Sequence, residues 1–249
     1  HFCIMQLFRR DPFGHIIFIK KWLIILLGLL SYRRFRGLNH LIIQGSEIIK
    51  NLPNNNVLFI SNHQTYFADA AAMIHVFNAS LQGRRNSLKN ISYLKNPKLN
   101  IYFLAAKETM KSGLIPKILA YAGSISISRT WRSKGKDIQR PINKEDIYNI
   151  QKSLKNGWLI TFPQGTTTPW TPIRKGTAHI IKENKPIVVP ITIDRFRRSF
   201  DKTGLKIKKK GIRQTITIKK PLELDYTNES LETIIEKVAL AIEQHPSFH

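Results

Sequence analysis

The stretch Phe59–Ala71, FISNHQTYFADAA, sets a histidine where an apolar run ends. Val57–Ser61 leads into Asn62-His63, and Asp69 follows at the head of the small-residue run Ala68–Ala72. Imidazole can take a proton from a hydroxyl at neutral pH, and a carboxylate behind the ring fixes its tautomer and steadies the imidazolium. If the histidine precedes a helix, an acid in the first turns can reach back to the ring. A lone His–Asp pair is more often an ordinary surface or core histidine, so the chemistry depends on its company.

Three further blocks supply that company. In GSISISRTWR, residues 123–132, Arg129 follows alternating Ser and Ile. In TFPQGTTTPW, residues 161–170, Pro163 and Gly165 enforce a tight turn, and the threonines offer hydroxyls and backbone N–H groups that can cradle a phosphate or a carbonyl oxygen. In PIVVPITI, residues 186–193, Pro190 breaks an otherwise buried strand. Taken singly, these read as an ordinary loop or a core strand.

The elements that would position these blocks alternate along the chain. Strands are expected at Leu41–Gln44, Val57–Ser61, Ile101–Ala105, Ser124–Ser128, Trp158–Phe162 and Ile187–Ile193. Helices are expected at Ala68–Phe77, Pro116–Tyr121, Lys144–Lys155, Thr177–Glu183 and Glu229–Gln244, with Gly157 as a C-cap. Leu205–Ile207 and Thr215–Ile218 read as the arms of a basic hairpin around Lys208-Lys209-Lys210-Gly211. Alternation of this kind predicts an α/β fold, a single layered domain with a mixed sheet flanked by helices. In open α/β sheets, sites form at strand ends, which is where all four blocks fall.

The order and spacing of the blocks resemble the glycerolipid acyltransferase family, typified by 1-acyl-glycerol-3-phosphate acyltransferases. That family has Asn-His-x-x-x-x-Asp, then a Gly…Arg block, then Phe-Pro-Glu-Gly-Thr, then a Val-Pro strand. Here they stand as Asn62-His63…Asp69, Gly123…Arg129, Phe162-Pro163-Gln164-Gly165-Thr166 and Val189-Pro190. AAKE at 105–108 and RKGTA at 174–178 match further elements, so the resemblance covers about residues 38–195. It implies that His63 is a general base, oriented by Asp69, that deprotonates an acceptor hydroxyl for attack on an acyl thioester. Arg129 and Lys107 would hold the acceptor phosphate or the donor's anionic part. Asn62 and Phe162–Thr166, with Gln164, Gly165 and Thr166 at its centre, would shape the acceptor pocket. No metal and no cofactor is implied; acyl-carrier protein or acyl-coenzyme A would be the donor. The expected acceptor is a lysophospholipid, most of all 1-acyl-glycerol-3-phosphate. Rival readings are another lysolipid, such as a lyso-aminolipid, or a non-catalytic lipid-binding relative.

Two departures stand out. Five residues, not four, separate His63 from Asp69, and one extra residue turns a helical side chain by about 100°. The geometry survives if that residue lies in the strand-to-helix turn. Gln164 replaces Glu, keeping hydrogen-bonding capacity without the charge; the near-isosteric exchange back to Glu is expected to leave the fold intact.

Residues 1–37 form an expected N-terminal segment and residues 38–249 the acyltransferase domain. Within the first, Ile16–Leu30 is apolar, split by Lys20-Lys21, and followed by Tyr32-Arg33-Arg34-Phe35-Arg36. A bilayer crossing takes about 20 apolar residues, so the segment is expected to lie in the membrane interface with its charged heads snorkelling. The alternative is a helix packed on the domain. Lys+Arg 40 against Asp+Glu 16 gives a net charge of +24. Such a surface attracts polyanions, here expected to be an anionic membrane at the cytoplasmic face of the cell membrane. Nucleic acid is not expected, because the 205–220 region has few aromatics for stacking bases. Cys3 is the only cysteine, which excludes an intrachain disulfide and a cysteine-rich metal site.

Overall fold

The computed structural model describes residues 8–107, 114–128, 132–133, 136–137 and 143–248; Arg129 lies outside the described residues. In chain order the elements are α1 (Ile17–Phe35), β1 (His40–Gln44), β2 (Val57–Ser61), α2 (Ala68–Leu81), β3 (Ile101–Ala106), α3 (Leu114–Ala122), β4 (Ser124–Ile127), β5 (Arg132–Ser133) and β6 (Lys136–Asp137). They continue with α4 (Lys144–Asn156), β7 (Trp158–Thr161), α5 (Lys175–Asn184), β8 (Ile187–Asp194), α6 (Phe196–Ser199), β9 (Arg213–Ile218) and α7 (Leu231–Ala241).

Strand β2 is buried along its whole length. Val57 and Phe59 enter one core, and Leu58 and Ile60 enter the other. A strand covered on both faces needs no polar alternation, which is why its sequence is a continuous apolar run. β7 and β8 flank it in parallel, so that Phe59 stands opposite Ile160 and Val189. The seven-stranded sheet has the order β1-β9-β8-β2-β7-β3-β4, and its one antiparallel junction is β8 with β9. The sheet is therefore mixed and flanked by helices, as the alternation predicts. On one face lie α1 and α2, whose Phe35, Met73, Val76 and Phe77 pack on β2 and β7; Phe59 and Phe77 stack with centroids 4.3 Å apart. On the other face lie α4, α5 and α7 through Leu154, Ile181, Ile234 and Val238. Because β2, β7, β3 and β4 run parallel, their carboxyl ends share one rim, and the described residues that directly follow them share it too.

The structure corrects two expectations and refines a third. There is no basic hairpin: β9 pairs with β1 and β8 instead of with residues 205–207. Its alternate residues Gln214, Ile216 and Ile218 are buried, so that face needs the cover a sheet in the core provides, whereas Leu205 is exposed. Gly157 caps α4 as expected, in an extended conformation. It is required for space, since a Cβ there would lie 2.0 Å from the Asn100 carbonyl oxygen. Finally, Lys20 does not interrupt the exposed face of α1. It is fully buried against the domain, where its Nζ donates to Asp11 Oδ2 at 2.7 Å and lies 4.8 Å from the centre of the Tyr102 ring.

Candidate active site

β2 delivers Asn62-His63 to the rim, and α2 begins at Ala68, so the extra residue lies in the turn Asn62–Phe67. Asp69, the second residue of α2, is fully buried and accepts from His63 Nδ1 at 2.8 Å. It also accepts from the backbone N–H groups of Gln64 (2.6 Å) and Thr65 (3.0 Å to Oδ2, 3.1 Å to Oδ1), and from the Thr65 hydroxyl at 2.7 Å. A carboxylate so surrounded has one orientation, and the N-terminal end of α2 favours its charge.

The turn is fixed from below by the end of β8 and the chain after it. Asn62 donates to the Ile193 carbonyl at 2.9 Å and accepts from the Ile193 N–H at 2.8 Å. Gln64 Oε1 accepts from the N–H groups of Phe196 and Arg197. Phe67 N–H donates to the Thr203 carbonyl at 2.9 Å. Gly204, at φ +80°, lies so close that a Cβ would sit 2.6 Å from Ala68 N. Phe162, one residue past β7, stacks on the imidazole with centroids 3.8 Å apart and planes 18° from parallel. With Nδ1 held by Asp69, His63 Nε2 is left without a hydrogen bond among the described residues, on a side chain that keeps 13% of its exposure. A base held by a carboxylate at one nitrogen and open at the other can accept a proton from a hydroxyl.

The Phe162–Thr166 turn is tied elsewhere. Gly165 has φ +62°, and a Cβ there would overlap the Arg174 guanidinium at 1.9 Å. That guanidinium donates to the carbonyls of Gln164 (3.1 Å) and Gly165 (2.9 Å). Gln164 is buried, and its Nε2 donates to the Thr171 carbonyl at 2.9 Å and to Gln244 Oε1 at 3.0 Å. Gln244 Oε1 also accepts from the Trp170 N–H at 3.0 Å. Thr166 Oγ1 accepts from the Thr168 N–H at 3.2 Å.

Lys107 stands just past β3, two strands along from β2, which is about 10 Å of rim at ordinary strand spacing. Its Nζ donates to Asp146 Oδ1 at 3.0 Å, while Asp146 Oδ2 accepts from the Ser128 N–H at 2.8 Å. The structure thus brings together Asn62, His63, Asp69 and Phe162, places Gln164, Gly165 and Thr166 in the adjoining turn, and sets Lys107 apart. Among the described residues, no group of three or more His, Cys, Asp or Glu side chains could hold a metal ion.

Residues 40–194, more than half of the chain, match the family model described as Acyltransferase. The chain belongs to the acyltransferase family. In fold, this acyltransferase is similar to the crystal structure of the 1-acyl-sn-glycerophosphate (LPA) acyltransferase PlsC from Thermotoga maritima. The two are 17% identical, with 97% of this chain and 84% of that chain covered and a TM-score of 0.58. No curated protein sequence matches it. Three residues around the acyltransferase turn went unmarked in the sequence: Arg197, Gly204 and Gln244. Arg197 and Gly204 follow β8 in a segment whose basic residues read as general charge, and Gln244 lies some 80 positions from its partner Gln164; no local pattern joins them.

Proposed function

We propose that this acyltransferase moves a fatty acyl group from an acyl thioester to the free hydroxyl of a lysophospholipid, with 1-acyl-glycerol-3-phosphate the first candidate. The observation that carries the reading is the His63–Asp69 pair, with its second imidazole nitrogen open beside Phe162. The acceptor hydroxyl donates to His63 Nε2 and loses its proton as the oxygen attacks the thioester carbonyl. Asp69 holds the Nδ1 proton and steadies the imidazolium. When the C–S bond breaks, the imidazolium returns the proton to the leaving thiolate, so the histidine ends neutral. Acyl-carrier protein or acyl-coenzyme A serves as donor, and no cofactor enters the sequence of steps.

Membrane placement belongs to the same reading. No helix among the described residues is long and apolar enough to cross a membrane. Helix α1, however, turns Phe18, Ile19, Trp22, Leu26, Leu29 and Leu30 to the outside, each about half exposed or more, while Lys20 and Ile24 face the domain. Spacing of four and three residues puts most of that set on one stripe. With Arg33 and Arg34 in its last turn and a net charge of +24, the stripe suits the interface of an anionic leaflet at the cytoplasmic face of the cell membrane.

The test is thiol release and product analysis with a panel of lysolipid acceptors and both donor types. His63→Ala should lower the rate about 10²–10⁴-fold without loss of fold. Acylation of a lyso-aminolipid alone would move the acceptor assignment, and wild-type turnover in His63→Ala would remove the histidine from the chemistry.

A further inference from the structure

Arg197 sits beside the histidine in an electrostatic situation that structure alone does not require. Its Nη2 donates to the His63 carbonyl at 3.1 Å and to the Thr167 carbonyl, joining the turn after β2 to the turn after β7. The side chain is half-buried. Among the described residues no carboxylate lies within ion-pair distance of it; nearby Asp194 pairs with Arg195 at 3.7 Å and accepts from Gln64 Nε2 at 3.5 Å. Nη1 and Nε donate to no described residue. Two carbonyl oxygens can be satisfied by a neutral amide, whereas withdrawing a cation from water without a counter-charge carries a desolvation cost. An arginine kept in this position offers a charge and its Nη1 and Nε N–H donors to something that is not part of the chain. A second cation shares the rim: Lys202 Nζ lies 5.7 Å from the centre of the Tyr66 ring, whose centroid is 6.5 Å from that of His63.

We propose that Arg197 is the headgroup-binding residue of this site, receiving the phosphate monoester of the acceptor on its remaining Nη1 and Nε N–H groups while its Nη2 holds the two turns. The inference rests on the acyl-transfer reading above for the identity of the ligand, and on the geometry for the residue. The charge lies within a side chain's length of the imidazole, so a phosphate carried on the same small polyol as the reacting hydroxyl reaches both. Lys202 adds field to the same mouth. Lys107, committed to Asp146, would not be needed for this contact.

The experiment measures binding and turnover separately. Hexanoyl lysophosphatidate and hexanoyl monoacylglycerol, which differ by the phosphate, are titrated by calorimetry into wild type, Arg197→Gln and Arg197→Lys. Glutamine retains an N–H donor for the carbonyls and loses the charge. The expected result is that Arg197→Gln weakens the phosphate-bearing probe about 10–100-fold more than the neutral one, with Arg197→Lys in between. The KM ratio for the two acceptors should follow. Equal weakening of both probes, or an equal fall in kcat with the KM ratio unchanged, would show that Arg197 only braces the turns and would overturn the proposal. So would unchanged binding of the phosphate probe, or no binding of it by wild type. If the charge-selective loss of binding is seen but no lysolipid releases thiol from either donor, the residue assignment stands and the acyl-transfer reading fails.

Discussion

Replacing Gln164 by Glu makes the chain match the family's Phe-Pro-Glu-Gly-Thr, and near-isosteric size argues for tolerance; the structure argues the reverse. The Gln164 amide nitrogen donates to the Thr171 carbonyl and to Gln244 Oε1. The backbone carbonyl can only accept, so the amide orientation is fixed. A glutamate would point a charged oxygen at two oxygens in a buried place. Gln244 can turn its own amide to donate, but its Oε1 then no longer accepts from the Trp170 N–H at 3.0 Å, and Trp170 already has φ +61°. The Thr171 carbonyl has no such adjustment. One buried group left unsatisfied costs about 1–3 kcal/mol, and an unpaired buried charge brings the total to about 3–5 kcal/mol. For a chain of this length that lowers Tm by about 6–20 °C. Burial raises the folded-state pKa of the new carboxyl above its unfolded value, so the penalty is present above that raised pKa and fades as pH falls through it. Thermal or urea melts of Gln164→Glu and the uncharged Gln164→Met at pH 7 and pH 5 read this directly. The glutamate variant should lose more than the methionine variant at pH 7 and recover at pH 5, and Gln244→Arg in the same chain should restore part of the loss. A glutamate variant as stable as wild type at pH 7 would refute the reasoning.

Asp69→Asn should lower acyl transfer at least tenfold and loosen the 62–67 turn, seen as faster amide exchange at Gln64 and Thr65, because the carboxylate accepts from both N–H groups and from the imidazole. His75, wholly buried with its nitrogens on Ser31 Oγ and Tyr93 OH at 2.8 Å each, has its pKa pushed down by burial from 6.5 to about 4. The unfolded chain therefore takes up this proton first, and stability complete above pH 6.5 should fall by about 3 kcal/mol as pH drops towards 4; urea midpoints of wild type and His75→Gln across that range isolate the share of this residue. Gly204→Ala should destabilise by about 1–3 kcal/mol in denaturant melts, since the methyl group meets backbone at 2.6 Å and φ is +80°. Trp22→Ser with Leu26→Ser and Leu30→Ser, which leaves the buried Lys20–Asp11 pair in place, should reduce sedimentation with anionic vesicles at least tenfold.

What the sequence made readable was local and periodic. β2 and its turn were legible because an apolar run buried on both faces looks like nothing else of its length, and because Asn62-His63 and Asp69 mark its two sides. The helices showed their apolar spacing, whereas two of their N-caps emerge only in the structure: Asn143 caps α4 through Glu145 N–H, and Ser230, which the sequence places inside the last helix, caps α7 through Thr233 N–H. Long-range matters were not legible. Lys20 looked like a break in an apolar face because Asp11, the partner that allows its burial, lies before the helix begins. The hairpin misreading arose because Lys208–Gly211 has local turn chemistry, while β9 is recruited by β1 and β8 from far away. Around the histidine, the dyad was visible as a pair of residue types, but the braces from Ile193, Arg197, Thr203 and Gln244 exist only once the chain has folded back.

The place of β9 sets an order of events during synthesis. Among the described residues β1 has no sheet neighbour except β9, and roughly 170 residues separate Gln44 from Arg213. At a ribosomal pace of about 5–20 residues per second, β1 waits on the order of 10–30 s with its hydrogen-bonding edge unmatched. Through that interval Leu41 and Ile43, destined for the core, stay without cover beside a helix whose apolar stripe is also bare. The α1–β1 segment is thus sticky long before the chain can organise the turn that carries His63, whose braces at Ile193–Gly204 emerge only shortly before β9 itself. Early contact between α1 and a membrane would shelter an apolar stripe that no described residue covers in the finished fold.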